Sequence, residues 1–154
     1  MTPAIHAVKA ADIAHRVHPY AHDPATASYG EEAVQALGLN PAQVFKTLVA
    51  QLEPPELVVA VIPVPAHLNL KALAHAAGAK RALLAELAHA ERATGYVAGG
   101  ISPLGQRKRL RTFLDRSALN HPDVYISAGR RGLEISLAPG DLARLLNASF
   151  ANLT

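Results

Sequence analysis

The run Val44-Phe45-Lys46-Thr47-Leu48-Val49-Ala50-Gln51, the pair Pro54-Pro55, and Glu56-Leu57-Val58-Val59-Ala60-Val61-Ile62-Pro63-Val64 place two strands at the centre of this chain. Residues 43–51 and 56–64 are rich in β-branched and apolar side chains and shorter than a buried helix. Pro54-Pro55 interrupts the pattern between them, so the two segments predict an antiparallel hairpin. The second segment, Leu57-Val58-Val59-Ala60-Val61-Ile62, is apolar without alternation and therefore belongs mid-sheet, covered on both faces.

The flanking sequence supplies candidate covering layers. Residues 4–14 read as a short helix with Ile5, Val8 and Ile13 roughly on one face. Pro19 stops any helix, and residues 16–22 read as extended. Residues 30–37 form a second helix, with Glu31 and Glu32 in its first turn and Gly38 at its end, as helix polarity and capping require. Residues 69–77 predict a helix closed by Gly78, and residues 83–92 another closed near Gly95. Residues 96–98 read as extended, and residues 111–114, 124–128 and 133–137 as short strands, the last two joined by a turn over 129–132. A terminal helix is expected over 141–148. The order is mixed rather than a regular βαβ alternation, which predicts an α+β fold with a mixed sheet.

At 154 residues with half of them apolar, the chain is expected to form one domain over 1–154. Cysteine is absent, which excludes disulfides, thiolate metal sites and a cysteine nucleophile. No apolar run approaches the roughly 20 residues that cross a bilayer. Residues 1–11 lack the basic-then-apolar layout of a secretory signal. A soluble, cytoplasmic protein is expected. The net charge of +3 hides an asymmetry. Between Arg107 and Arg131 lie seven basic residues, namely Arg107, Lys108, Arg109, Arg111, Arg116, Arg130 and Arg131, opposed by Asp115 and Asp123 alone. That window carries +5 and the remainder −2. Localised positive charge suits a phosphate-bearing partner, and equally suits a solvated loop.

Several chemistries fail on spacing. His15, His18 and His22 form the one histidine cluster, but in an extended segment His15 points away from the other two, and Pro19 bars a helix that would gather them. No His-Glu-x-x-His pair occurs, so no metal site is expected. Gly100-Ile101-Ser102-Pro103-Leu104 lacks the second glycine of a nucleophile elbow. Neither a dinucleotide fingerprint nor a P-loop is found.

Three segments retain chemical interest. Lys46 lies within a strand on the face of Val44 and Leu48, where a lysine snorkels, guards a sheet edge, or acts as a desolvated cation that orients a phosphate, hydroxyl or carbonyl oxygen. Gly99-Gly100 at a strand end allows close backbone approach to a ligand or makes an ordinary bend. Ser127-Ala128-Gly129-Arg130-Arg131-Gly132 is a tight turn whose arginines either reach phosphates or sit in solvent.

Taken together, Gln43-Val44-Phe45-Lys46-Thr47-Leu48, the long run from Thr94-Gly95-Tyr96 through Gly99-Gly100-Ile101-Ser102-Pro103 to Gln106, and Ser127 to Ile135 resemble the YbaK family. These proteins are free-standing relatives of the editing domain of bacterial prolyl-tRNA synthetase. His18-Pro19-Tyr20-Ala21-His22-Asp23, Met1-Thr2-Pro3-Ala4 and the ending from Gly140 resemble its Cys-tRNA(Pro) deacylase branch, so the likeness runs nearly end to end. The resemblance implies a mixed, barrel-like sheet flanked by helices, and a trans-editing enzyme that hydrolyses the ester of cysteine mischarged onto proline tRNA. In that family the substrate's own thiol attacks its carbonyl, and neither metal nor cofactor is involved. The resemblance assigns Lys46, Tyr20, Gly99 and Gly100 to catalysis. It assigns Tyr29, Thr47, Ile101, Ser102, Pro103, Ser127, Gly129 and Glu134 to substrate binding. Arg107, Lys108, Arg109, Arg130 and Arg131 are the expected tRNA contacts, and prolyl-tRNA synthetase the expected protein partner. Glu134 stands where Asp is usual, Ala128 where Gly is usual, and Tyr29 where Phe is common. The alternatives are a deacylase for another small aminoacyl group, such as Ala-tRNA(Pro), and a non-catalytic module that binds tRNA or a synthetase.

Overall fold

A computed structural model describes residues 1–26 and 28–154, and among these it contains five α-helices and eight strands. The predicted hairpin is the centre of the fold. Strand β2 (Phe45–Glu53) and strand β3 (Glu56–Pro63) pair antiparallel, with Lys46 opposite Ile62 and Ala50 opposite Val58. Val58 to Ile62 have no solvent exposure, as an unalternating apolar strand requires. Their side chains divide between two layers. Val59 and Val61 join one core cluster; Val58, Ala60 and Ile62 join the other.

Helix α1 (Pro3–Ala10) packs Ala4, Ile5 and Val8 into the first cluster. The Thr2 hydroxyl caps it, accepting the Ile5 N–H at 3.2 Å. The helix stops short of the expected residue 14 because Asp12 turns into the left-handed region, which Asp tolerates better than most residues. Strand β1 (His15–Pro19) follows, then helix α2 (Tyr29–Leu37), ended by Gly38. Beyond β3, helix α3 (Leu70–Ala77) covers the second cluster with Leu73 and Ala74. Residues 81–84, partly assigned from sequence to a helix, are instead strand β4 (Arg81–Leu84), paired with residues 50–53 of β2. The free edge of β2 takes these residues as a strand, and helix α4 (Leu87–Thr94) begins only after Glu86. Strand β5 (Arg111–Asp115) lies parallel to β3. Strands β6 (Val124–Ser127) and β7 (Leu133–Leu137) form the expected antiparallel pair. Helix α5 (Pro139–Leu146) and strand β8 (Ser149–Ala151) finish the sequence of elements. β8 is three residues long, below what periodicity reveals, and residues 96–98 have no strand partner.

The strands form two sheets, ordered β1-β7-β6 and β4-β2-β3-β5-β8, which are joined by an isolated parallel bridge between Val44 and Tyr125 and pack into one core cluster. The mixed α+β fold expected from the sequence is present, with the barrel-like sheet realised as two sheets rather than one closed barrel.

Asp115 secures the end of β5. Its carboxylate is buried, accepts the Leu153 N–H at 2.9 Å through Oδ1, and receives the Ser117 hydroxyl at Oδ2. Asp115→Ala strands a buried amide and is expected to cost about 2 kcal/mol. Urea unfolding should show the midpoint falling with an unchanged slope, and Asp115→Asn, which keeps an acceptor, losing less.

Candidate active site

The two sheets part where β2 begins. β4 reaches only residues 50–53, so the first half of β2 is bordered on that side by β6. A cavity of about 120 Å³ opens at this seam. Lys46 and Thr47 line it from β2, Tyr20 from the end of β1, Tyr29 from α2, Gly99 and Ile101 from the loop after α4, and Ser127 and Glu134 from β6 and β7. The fold thus gathers eight sequence-named residues from six segments. Gly30, Val44 and Phe45 line the cavity as well and were missed. Val44 and Phe45 lie beside Lys46 but are apolar, so their pattern signals core. Gly30 carries no local signal; its need is tertiary, since a Cβ there would sit 2.7 Å from Val64.

The polar wall follows from alternation along β7. Leu133, Ile135 and Leu137 enter the core, which turns Glu134 and Ser136 to the opposite face. Glu134 pairs across the sheet with His18 on one side and Ser127 on the other. Its residue is only 6 % exposed, and among the described residues it forms no ion pair. Burial without a cation pushes its carboxyl up to about 8. Burial also raises the Tyr20 phenol, and the Glu134 and Glu32 charges add to that rise against an opposing hydrogen bond at Gly132. Lys46, half-buried, is lowered by desolvation and only partly restored by the charge of Glu31. The cavity therefore holds a carboxyl inclined to keep its proton and an amine inclined to lose one.

The loop between α4 and β5 is tightly held. The Ala98 N–H donates to Glu91 at 2.8 Å, and the buried Tyr96 hydroxyl donates to the Leu104 carbonyl at 2.5 Å. Gly99 adopts φ +84°, a conformation that favours glycine, and presents no side chain to the cavity. Gly100 stands behind that wall: its N–H donates to the Val97 carbonyl at 3.0 Å, and a Cβ would meet the Arg130 backbone at 2.7 Å. Ser102 is fully buried away from the cavity, its hydroxyl accepting the Leu104 N–H at 3.2 Å. Pro103 borders a separate cavity of about 260 Å³ beside Leu104, Lys108 and Arg109. Gly129 sits outside the wall too, but its N–H donates to the Ser127 hydroxyl at 3.2 Å and so orients a group that lines it.

The basic window divides. Arg107, Lys108, Arg109 and Arg130 are exposed. Arg111 instead makes a two-pronged ion pair with Glu56, both contacts at 2.9 Å. Arg131 turns inward and donates to the Tyr29 hydroxyl at 2.6 Å. The three clustered histidines disperse: His15 to the Ile13 carbonyl, His18 to Ser136 at 2.8 Å, and His22 to Glu32 at 2.7 Å.

Glu134 gives the site a pH signature in stability. Its carboxyl is raised to about 8 in the folded protein, so the folded state holds a proton that the unfolded chain releases near the ordinary carboxyl value. Stability is lost as pH climbs through that interval and levels off above about 8. Glu134→Gln removes this loss. Thermal melts from pH 5 to 9 should show the variant gaining on the wild type as pH rises, and parallel curves would contradict the raised carboxyl.

A family model for the aminoacyl-tRNA editing domain matches residues 23–145. EbsC of Enterococcus faecalis, a candidate Cys-tRNA(Pro)/Cys-tRNA(Cys) deacylase, is 40% identical over 124 residues, covering 80% of this chain and 76% of EbsC. The crystal structure of a candidate trans-editing enzyme for prolyl tRNA synthetase superposes with a TM-score of 0.82 at 24% identity, over 100% of this chain and 98% of that one. The hypothetical protein APE2540 does so with a TM-score of 0.88 at 24% identity, over 99% of both chains. The two structural likenesses establish a shared fold, and the sequence matches establish more: this chain belongs to the aminoacyl-tRNA editing domain family.

Proposed function

We propose that this protein is a trans-editing aminoacyl-tRNA deacylase that removes cysteine from mischarged proline tRNA, with residues 1–154 acting as one cytoplasmic editing domain. The observation that carries this reading is the cavity itself: a desolvated lysine and a buried carboxyl that has no ion-pair partner among the described residues line one small space in a chain of this family. At about 120 Å³ the cavity is well below the ~300–1,000 Å³ that takes drug-sized ligands, which suits a small aminoacyl group. The 40% identity to EbsC points to cysteine as that group.

An aminoacyl ester is already activated, so its cleavage needs positioning and charge stabilisation more than a protein nucleophile. In the proposed reaction the cysteine sulfur attacks its own ester carbonyl. A carbon–sulfur bond forms, the ester carbon–oxygen bond breaks, and the ribose oxygen of the tRNA leaves with the proton given up by the thiol. The product is a cyclic thiolactone. Gly99, where no side chain intrudes, lets the carbonyl approach the loop backbone. Lys46 orients the terminal adenosine or its phosphate, and Tyr20 closes the pocket. Glu134 accepts the substrate's α-ammonium, a cation that offsets the cost of ionising its buried carboxyl. The exposed Arg107, Lys108, Arg109 and Arg130 meet tRNA phosphates, and prolyl-tRNA synthetase selects the tRNA.

Deacylation of proline tRNA charged with cysteine, alanine or serine tests this. Cysteine should be released fastest and serine, which lacks the thiol, far more slowly. Lys46→Ala should cut the cysteine rate by at least about 100-fold. Preference for alanine would move the specificity to the sibling reaction. Salt-sensitive tRNA binding without turnover would make the protein a binding module.

A further inference from the structure

We propose that Arg131 is a positioning residue, which clamps Tyr29 to the Gly99 loop and thereby sets the width of the cavity, rather than a contact to tRNA phosphate. The guanidinium lies over the Tyr29 ring, 4.1 Å from its centroid. Its Nη2 donates to the Tyr29 hydroxyl at 2.6 Å, and its Nε donates to the Ala98 carbonyl at 3.2 Å. One side chain thus joins three walls of the cavity: the start of α2, the loop carrying Gly99, and the β6–β7 turn that leads to Glu134.

Gly99 makes room for this clamp. A Cβ at that position would sit 2.5 Å from Arg131 Nε and 2.8 Å from Tyr29 Cδ2. The adjacent Arg130 is exposed, and its backbone packs behind Gly100. Neighbouring arginines with the same charge therefore have separate tasks, one inward and one outward. The tasks need different chemistry as well. Stacking on a ring while donating in two directions requires a planar fork, which lysine lacks, whereas a phosphate contact is met by either cation. The tyrosine hydroxyl at position 29 acquires a role at the same time, as the acceptor that Phe would not offer.

This inference rests on the deacylase reading for its kinetic arm, so the test includes a readout that needs no turnover. Arg131→Lys, Arg131→Gln and Arg130→Gln are compared, each alone and with Tyr29→Phe. Amide exchange at Gly100, whose N–H is bonded to Val97, reports on the loop directly. Both Arg131 variants should raise that exchange about tenfold or more, with lysine giving no rescue. Both should lower kcat for cysteine release by about tenfold and narrow the preference for cysteine over larger aminoacyl groups. The salt dependence of KM should stay that of the wild type in both, and flatten in Arg130→Gln. In the Tyr29→Phe background, Arg131→Lys should add less than it does alone, because the two residues act through one contact. Arg131→Lys with wild-type exchange and selectivity would overturn the proposal. So would Arg131→Gln raising KM and flattening its salt dependence as Arg130→Gln does. A wild-type protein without deacylase activity would defeat the proposed function instead, and the exchange data would still decide the clamp. If Arg131→Gln fails to fold, Arg131→Lys and the single Tyr29→Phe variant carry the same comparison.

Discussion

Everything in this molecule is arranged around a strand that has no side in water. Val58 to Ile62 are fully buried, and each large side chain among them contributes about 1.5–3 kcal/mol only if a layer covers it. One layer comes from α1, β6, β7 and α5, the other from α3, with Ala82 of β4 and Leu153. The smaller sheet bridges to Val44, just before β2 begins, while β4 pairs with the opposite end of that strand. The gap between those attachments is where the cavity opens. Its position follows from how two covering layers meet a strand, and its chemistry from which side chains border the gap.

That chemistry is one of withheld hydration. Glu134 reaches the cavity because β7 alternates, sending leucine and isoleucine to the core and its polar residues to the seam. Because it is buried, and forms no ion pair among the described residues, its carboxyl keeps a proton at pH values where an exposed one would not. Lys46 is displaced in the opposite direction for the same reason. In the proposed reaction the substrate's α-ammonium and its phosphate supply Glu134 and Lys46 with what water would have given them.

Charge distribution makes the same distinction at larger scale. A basic window in a sequence is a sum of formal charges, and seven cations look alike in it. In the folded protein Arg111 is matched by Glu56 and Arg131 is stacked on Tyr29, so the outward charge is smaller and more localised than the sum. Guanidinium groups lend themselves to this division, since they stack and fork as readily as they attract phosphate.

Much was readable from local pattern. The unalternating run before Val64 demanded a central strand, Pro54-Pro55 a hairpin, and alternation in residues 133–137 a strand with one polar face. Lys46 stood out because a cation in an apolar strand needs a reason, and the absence of cysteine excluded a protein thiol from the outset. What local pattern lacks is long-range pairing. Residues 83–84 look helical until the edge of β2 takes 81–84 as a strand, and β8 exists only because β5 offers it a partner. The same holds at the site: Ser102 and Gly129 lie in recognisable motifs yet miss the cavity, while Gly30 lines it without any motif of its own. Sequence spacing governs which face of a strand or helix a residue occupies, because backbone geometry is local. Which faces meet, and which of two identical arginines turns inward, is settled by contacts between segments far apart in the chain, such as Arg131 with Tyr29.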